Sequence, residues 1–215
     1  MKNKSPTILL LSSSSFLKKD LTNIFHKSFK ELKLGHIINA SKGKGVASLD
    51  YLERTKNIFR EHNCKFEDID LDGKTESELR NMLKNFDGVF VNGGSTFYLL
   101  KSIRESGFDK VIKKLLPTGF IYIGASAGSY VACPTIEMAS WKHQDKYYHY
   151  EIKDFTGMNL VPFLITVHYV PEYRSILKEK ILQSKYLVRI LTDEQAILIK
   201  DGKTTFLGED EIKII

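Results

Sequence analysis

The sequence predicts an α/β fold with a mostly parallel central sheet, because short apolar runs alternate with amphipathic stretches along most of its 215 residues. Strands separated by helices of this length need right-handed crossovers, which make neighbouring strands parallel. The tail breaks the alternation, since two β-type runs flank Asp201-Gly202, a pair typical of a tight hairpin turn. With 42% hydrophobic and 27% charged residues, the chain is expected to form a single domain, 1–215.

Each element follows from a local pattern. Strands are predicted over apolar runs that end at glycine or polar residues: Thr7–Leu11, His36–Asn39, Phe66–Asp70, Gly88–Val91, Phe120–Ile123, Phe163–His168, Ala196–Lys200 and Thr204–Leu207. Helices are predicted where apolar residues recur with helical spacing: Leu17–Leu32, Leu49–Glu61, Glu76–Asn85, Thr96–Glu105 and Phe108–Leu115. Thr75 and Glu78 form a capping-box pattern at the start of the third helix.

Charge and cysteine content argue against several classes of partner. The net charge is +6, but the lysines are interspersed with acidic residues and no aromatic residues interleave with a basic run, so no nucleic-acid partner is expected. Cys64 and Cys133 are too far apart for metal-type spacing, which indicates reduced thiols and no zinc. The apolar run Ile8–Leu11 is too short for a signal peptide, and no stretch reaches membrane-spanning length. We therefore expect a cytoplasmic protein without a membrane partner, metal or cofactor.

The most informative motif is Gly124-Ala-Ser-Ala-Gly128, which follows a predicted strand. This is the G-x-S-x-G form of a nucleophile elbow, in which a serine occupies a sharp strand-to-helix turn between small residues. The hydroxyl of Ser126 would project from the edge of the sheet. The N–H of Ala127 would face the position where an oxyanion forms.

A serine nucleophile needs a base, and the predicted strand Phe163–His168 delivers a histidine to the same sheet edge. Histidine suits this role because its unperturbed pKa of about 6.5 lies near neutral pH. The chain order is then expected to be serine, acid, histidine. The carboxylates between Ser126 and His168 are those of Glu137, Asp145, Glu151 and Asp154. Glu137 is favoured, because it follows the elbow closely.

Asp145 is kept as the reserve for the acid. It lies in the polar run Lys142-His-Gln-Asp-Lys146, which is expected to be an exposed loop whose histidine is solvated. A third polar strand end is Asn92-Gly-Gly-Ser-Thr96, where two glycines let backbone N–H groups approach a ligand and Ser95 or Thr96 can cap the next helix.

Together, Val91-Asn-Gly-Gly-Ser-Thr-Phe97, Gly124-Ala-Ser-Ala-Gly-Ser129, Pro134-Thr-Ile136 and Asn159-Leu-Val-Pro-Phe163 leading to His168 resemble the peptidase E group of serine peptidases. The resemblance runs along nearly the whole chain. It implies a three-layer sandwich like that of class I glutamine amidotransferases, and a dipeptidase-like activity on small peptides without a cofactor. A homodimer is expected from the resemblance alone.

Carried over by position, the resemblance implies Ser126 as nucleophile, His168 as base, and an oxyanion hole from the N–H groups of Ala127, Gly93 and Gly94. The chain departs from the group at the turn, which usually reads Gly-Gly-Gly-Asn-Thr, and downstream of Pro134-Thr-Ile136, where Ser140-Trp141 replaces an aspartate. Glu is used in that segment by other relatives, which supports Glu137 as the acid. An acidic substrate residue would need a cation, for which Arg174 is the candidate.

Three alternatives stay open. A catalytically silent binding or regulatory member of the fold would share the motifs, since fold does not fix function. An α/β-hydrolase esterase shares the elbow but normally carries its histidine near the chain end. A glutaminase would use cysteine where this chain has Ser126.

Overall fold

A seven-stranded sheet forms the centre of the fold. The structure, a computed structural model, describes residues 5–43, 46–142 and 152–214. The strands of these segments are β1 (Thr7–Leu11), β2 (Lys33–Ile37), β3 (Lys65–Ile69), β4 (Gly88–Val91), β5 (Ile121–Ala125), β6 (Leu164–Thr166), β7 (Val188–Ile190), β8 (Ala196–Lys200) and β9 (Lys203–Leu207). The large sheet has the order β3-β2-β4-β5-β1-β8-β9. Its first five strands are parallel, and the antiparallel hairpin β8-β9 extends it beside β1.

Helices cover both faces of this sheet, which gives three layers. Within the described segments they are α1 (Asn39–Lys42), α2 (Val46–Glu61), α3 (Glu76–Leu83), α4 (Thr96–Ser106), α5 (Phe108–Leu115), α6 (Ala127–Tyr130) and α7 (Arg174–Gln183). Alternate residues of β1 enter different cores: Ile8 and Leu10 pack with α3, α4 and α5, and Leu9 and Leu11 pack with α2 and the segment before β2. The predicted fold class is confirmed.

Several elements lie where local sequence places them. The bounds of β1, β4 and α5 coincide with the prediction. Thr75 and Glu78 form the expected capping box at α3. The hairpin turns through Asp201-Gly202, with φ values of 51° and 71°, the left-handed backbone that this pair adopts readily.

The helix predicted over Leu17–Leu32 is absent from the structure. In its place are short 3₁₀ turns at Ser14–Lys18 and Phe29–Glu31, joined by bends. The carboxylate of Asp20 accepts a hydrogen bond from the Thr22 N–H at 2.8 Å, and Asn23 has a φ of 67°. Such side-chain turns compete with helix formation, so the apolar residues of this segment reach the core from an irregular backbone.

A second, two-stranded sheet pairs β6 with β7 in parallel, with Thr166 opposite Ile190. The sequence predicts β6 as part of the apolar run Phe163–His168 but not β7, because Arg189 at the centre of β7 interrupts the apolar pattern. This small sheet packs into the same core as α4 and α6 through Leu164, Ile165 and Ile190. Its strand ends deliver two further loops to the edge of the molecule where β1 and β5 end.

Candidate active site

Ser126 occupies a strained turn between β5 and α6. Its backbone has φ 50° and ψ −108°, a region that non-glycine residues seldom adopt and that costs of order 1–3 kcal/mol. Its N–H donates to the Leu11 carbonyl oxygen at 3.0 Å, which ties the turn to the end of β1. This is the geometry expected of a nucleophile elbow.

The two glycines of the motif are needed because the turn brings backbones together. A Cβ on Gly124 would lie 2.4 Å from the carbonyl oxygen of Gly128. A Cβ on Gly128 would lie 2.1 Å from the carbonyl oxygen of Val91 at the end of β4. Any larger residue would push α6 away from the sheet and Ser126 with it.

His168 lies against Ser126, as the sequence predicts. Its Nε2 atom is 2.9 Å from Ser126 Oγ, within hydrogen-bond distance. His168 follows the end of β6 in a left-handed conformation with φ 55°, and its N–H donates to Ser12 Oγ at 2.8 Å. The residue after β1 therefore holds the backbone that presents the imidazole.

The carboxylate that contacts His168 is that of Asp193, in the loop after β7. Its Oδ1 atom lies 2.5 Å from His168 Nδ1 and also accepts a hydrogen bond from Ser12 Oγ at 2.8 Å. The hydrogen bond from His168 is the main cause that lowers the pKa of Asp193 below its ordinary value, against the opposing effect of burial. Asp193 is thus expected to be ionised at neutral pH.

Glu137, the carboxylate that the sequence analysis favours, is not in this position. It begins a 3₁₀ turn after α6, and its side chain lines a groove of about 560 Å³ with Asp154 and Lys185. The structure brings Asp193 rather than Glu137 to the imidazole, because the pairing of β6 with β7 delivers a residue from beyond the segment between Ser126 and His168, to which the sequence prediction confines the acid.

The other carboxylates considered do not take this position. Asp145 and Glu151 lie outside the described residues. Asp154 forms an ion pair with Arg104 at 3.1 Å and is largely exposed. The sequence carries a weak signal for Asp193, because Thr192-Asp193 follows the segment 187–191, which is apolar apart from Arg189, as His168 follows its own strand.

Three backbone N–H groups are available beside Ser126. The position that a Cβ on Gly93 would occupy is 3.1 Å from Ser126 Cβ, so the Gly93 backbone lies against the serine. Among the residues that the structure describes, none accepts a hydrogen bond from the N–H of Gly93, Gly94 or Ala127. The predicted oxyanion-hole donors therefore form no hydrogen bond with the described residues.

The side chains of Asn92 and Ser95, in the same loop, form hydrogen bonds with buried or partly buried groups. The Asn92 Oδ1 atom lies 3.2 Å from the Thr55 hydroxyl, and Ser95 Oγ caps α4 by accepting from the Tyr98 N–H at 3.3 Å. The Nδ2 atom of Asn92 and the Nε2 atom of His36 are both buried without a hydrogen-bond partner in the described segments. Asn92 and Ser95, the two departures from the usual turn, therefore both have structural roles here.

The remaining predicted residue, Arg174, is exposed at the first position of α7. The structure records no ion pair or hydrogen bond between it and another described residue. Within residues 5–43, 46–142 and 152–214, no cluster of three or more His, Cys, Asp or Glu side chains could hold a metal ion. The helices described there include none that is both long and apolar enough to cross a bilayer.

Known peptidases are similar to this chain in sequence. The chain is similar to peptidase E of Nostoc sp. (strain PCC 7120), with 30% identity over 223 residues that cover 98% of this chain and 86% of that protein. It is also similar to an uncharacterised peptidase of Pasteurella multocida (strain Pm70), with 30% identity over 162 residues, 75% of this chain and 76% of the relative.

Solved structures share the fold. A crystal structure from Listeria monocytogenes EGD-e, provisionally assigned as peptidase E, has a TM-score of 0.81 at 24% identity and covers 95% of this chain and 99% of that one. A peptidase from an acI-B1 Actinobacterium has a TM-score of 0.66 at 12% identity, covering 97% and 90%. The family model described as peptidase family S51 matches residues 8–214. The chain therefore belongs to peptidase family S51.

Proposed function

We propose that this chain is a serine peptidase that hydrolyses small peptides with Ser126 as nucleophile, His168 as general base and Asp193 as the acid that orients the base. The observation that carries the proposal is the continuous contact from Ser126 Oγ to His168 Nε2, at 2.9 Å, and from His168 Nδ1 to Asp193 Oδ1, at 2.5 Å. This is the order of contacts that acyl transfer by a serine requires.

Ser126 Oγ attacks the carbonyl carbon of the scissile bond while its proton passes to His168 Nε2. The carbonyl oxygen becomes an oxyanion, which the N–H groups of Ala127 and the Gly93-Gly94 turn stabilise. The intermediate collapses as His168 returns the proton to the leaving amine, and an acyl-enzyme remains. His168 then takes a proton from water as the water attacks the ester, and it returns this proton to Ser126 Oγ as the bond to the acyl group breaks and the acid is released.

Asp193 has two effects on this cycle. It accepts a hydrogen bond from the Nδ1–H of His168, which leaves the Nε2 atom unprotonated and able to take the proton from Ser126. Its negative charge also stabilises the imidazolium that forms during attack. The preference for small peptides rests on the family rather than on the site, and relatives of this chain carry the name peptidase E.

Labelling with a fluorophosphonate, followed by peptide mapping, tests the nucleophile without knowledge of the substrate. The wild type should be labelled at Ser126, and Ser126→Ala should not be labelled. Ser175→Ala, which removes an exposed hydroxyl from α7, is the matched control and should behave as the wild type. A panel of Asp-X and other dipeptides together with simple esters then defines the substrate class.

The same experiment decides between the alternatives. A catalytically silent member would hydrolyse neither dipeptides nor esters, and an esterase would hydrolyse only the esters. Equal dipeptide turnover by the wild type and Ser126→Ala would contradict the mechanism.

A further inference from the structure

Lys142 is buried beside the candidate active site, although the sequence analysis expects it to begin an exposed loop. It is only 7% exposed, and lysine is among the residues least often buried to this degree. Its ammonium group lies over the ring of Tyr173, 5.2 Å from the ring centroid. A buried ammonium is costly unless its charge and its donors are used, so the contacts of this side chain indicate its role.

The Nζ atom donates a hydrogen bond to the carbonyl oxygen of Val167. That carbonyl belongs to the same peptide group as the N–H of His168, which donates to Ser12 Oγ at 2.8 Å. Lys142 and Ser12 therefore hold the two ends of one peptide group, the one that precedes the base. The two contacts come from segments far apart in the sequence.

His168 needs such support because its backbone is strained. Its φ of 55° lies in the left-handed region, which a non-glycine residue adopts only when its surroundings impose it. Rotation of the preceding peptide group would swing the imidazole away from Ser126. A displacement of about 1 Å at a reacting group can cost on the order of 100-fold in rate.

The ammonium also acts on the charges of the site. Burial lowers the pKa of Lys142 to about 8, and the nearby carboxylate of Asp193 opposes that shift. Four described titratable residues surround Lys142. Asp193 and His168 lie in the loops after β7 and β6, and Tyr173 lies before α7. The fourth is Tyr130, whose hydroxyl lies 3.4 Å from the Val167 nitrogen.

We propose that Lys142 is a positioning residue of the active site, which fixes the peptide group before His168 and so keeps the imidazole against Ser126. This inference rests on the proposed function, since it assigns Lys142 a role in that same site. Two effects follow from it: the hydrogen bond sets the position of His168, and the positive charge stabilises the carboxylate of Asp193.

Two substitutions separate these effects. Lys142→Met keeps the length and apolar stem of the side chain but removes the donor and the charge. Lys142→Gln removes the charge and retains an N–H donor. The matched control is Lys200→Met, because Lys200 Nζ also donates to a backbone carbonyl, that of Asn23, at 3.1 Å in an exposed place. The readout is the rate constant of fluorophosphonate labelling at Ser126 between pH 5 and 9.

We expect labelling of Lys142→Met to be at least about 10-fold slower than that of the wild type, and labelling of Lys142→Gln to lie between the two. A purely structural role would give the same rate in Lys142→Met and Lys142→Gln, because both lack the ammonium group, whereas a positioning role predicts partial recovery of the rate by the N–H donor of Lys142→Gln. Lys200→Met should match the wild type at every pH.

A wild-type rate of labelling in Lys142→Met across this pH range, or equal losses in Lys142→Met and Lys142→Gln, would overturn the inference while leaving the proposed function intact. Absence of labelling at Ser126 in the wild type would instead contradict the proposed function itself. Loss of the native near-ultraviolet circular dichroism in both Lys142 variants would also overturn the inference, because it would assign Lys142 to the stability of the fold and not to the site.

Discussion

His168 Nδ1 lies 2.5 Å from Asp193 Oδ1, although the two residues are far apart in the sequence. The parallel pairing of β6 with β7 creates this contact, because Thr166 lies opposite Ile190 and the loops after the two strands leave in the same direction. Neither strand belongs to the large sheet. Asp193 therefore reaches His168 from a small separate sheet, while Ser126 follows a strand of the central one.

The first prediction separates Asp193 from Glu137. Asp193→Asn keeps the shape of the side chain but removes the charge that orients His168, so peptidase activity should fall by about 10³–10⁴-fold. Glu137→Gln is the matched control and should stay within about twofold of the wild type, since its carboxylate makes no contact with the imidazole. The measurement is kcat/KM on the best dipeptide of the panel. The reverse ranking of the two variants would reassign the acid to Glu137.

The second prediction concerns Ser12, whose hydroxyl accepts from the His168 N–H and donates to Asp193 Oδ1. Ser12→Ala removes both hydrogen bonds, each of which is worth about 0.5–1.5 kcal/mol. The value of kcat should fall by about 10-fold with little change in KM, because Ser12 orients the base and does not touch substrate. Ser15→Ala removes a nearby hydroxyl that donates, within the described part of the chain, to Ser13 Oγ, and it should leave kcat unchanged. A change confined to KM in Ser12→Ala would argue against this role.

The third prediction concerns the backbone of the Gly93-Gly94 turn, whose N–H groups are predicted oxyanion-hole donors. Gly94 has a φ of 141°, and a Cβ there would lie 2.2 Å from the Ala40 carbonyl oxygen. Gly94→Ala should lower the free energy of unfolding by about 3 kcal/mol, because the strain and the clash add. Gly73 also has a positive φ, 73°, but open space around it, so Gly73→Ala should cost only about 1 kcal/mol. Urea denaturation measures the free energy of unfolding of both variants. Equal losses of stability would show that the structure relieves the clash at residue 94.

The fourth prediction is a pH dependence of stability that originates at His36. Burial lowers the pKa of His36 below its ordinary value, and the hydrogen bond to Asp68 at 2.9 Å only partly opposes this effect. The folded protein keeps His36 neutral at pH values where the unfolded chain binds a proton. The free energy of unfolding should therefore fall as the pH drops below about 6.5, by up to about 1.4 kcal/mol per pH unit.

His36→Phe tests this directly, since a phenyl ring can take the place of the imidazole among Phe59, Phe66 and Phe90. The stability of this variant, measured by urea denaturation between pH 5 and 7, should depend less steeply on pH than that of the wild type. His62→Gln, at a half-buried position, provides the control. An unchanged slope in His36→Phe would assign the pH dependence to other groups.

Local sequence determined the elements whose signals are short-range. Neighbouring residues in the sequence determine three such elements: the capping box of Thr75 and Glu78, the Asp201-Gly202 turn and the strand before Ser126. The sequence also predicted the contact of Ser126 with His168, although the strand before His168 lies in the small sheet and not in the large one as expected.

Tertiary structure alone decided which carboxylate meets His168 and where Lys142 lies. Asp193 reaches the imidazole through the pairing of β6 with β7, and Arg189 at the centre of β7 interrupts the apolar pattern that would mark this strand in the sequence. Lys142 stands in a polar run that reads as solvated, and it is buried because distant segments supply the Val167 carbonyl and the Tyr173 ring. Backbone turns are encoded by neighbours in the chain, whereas a charged side chain takes its partner from contacts that only the folded chain creates.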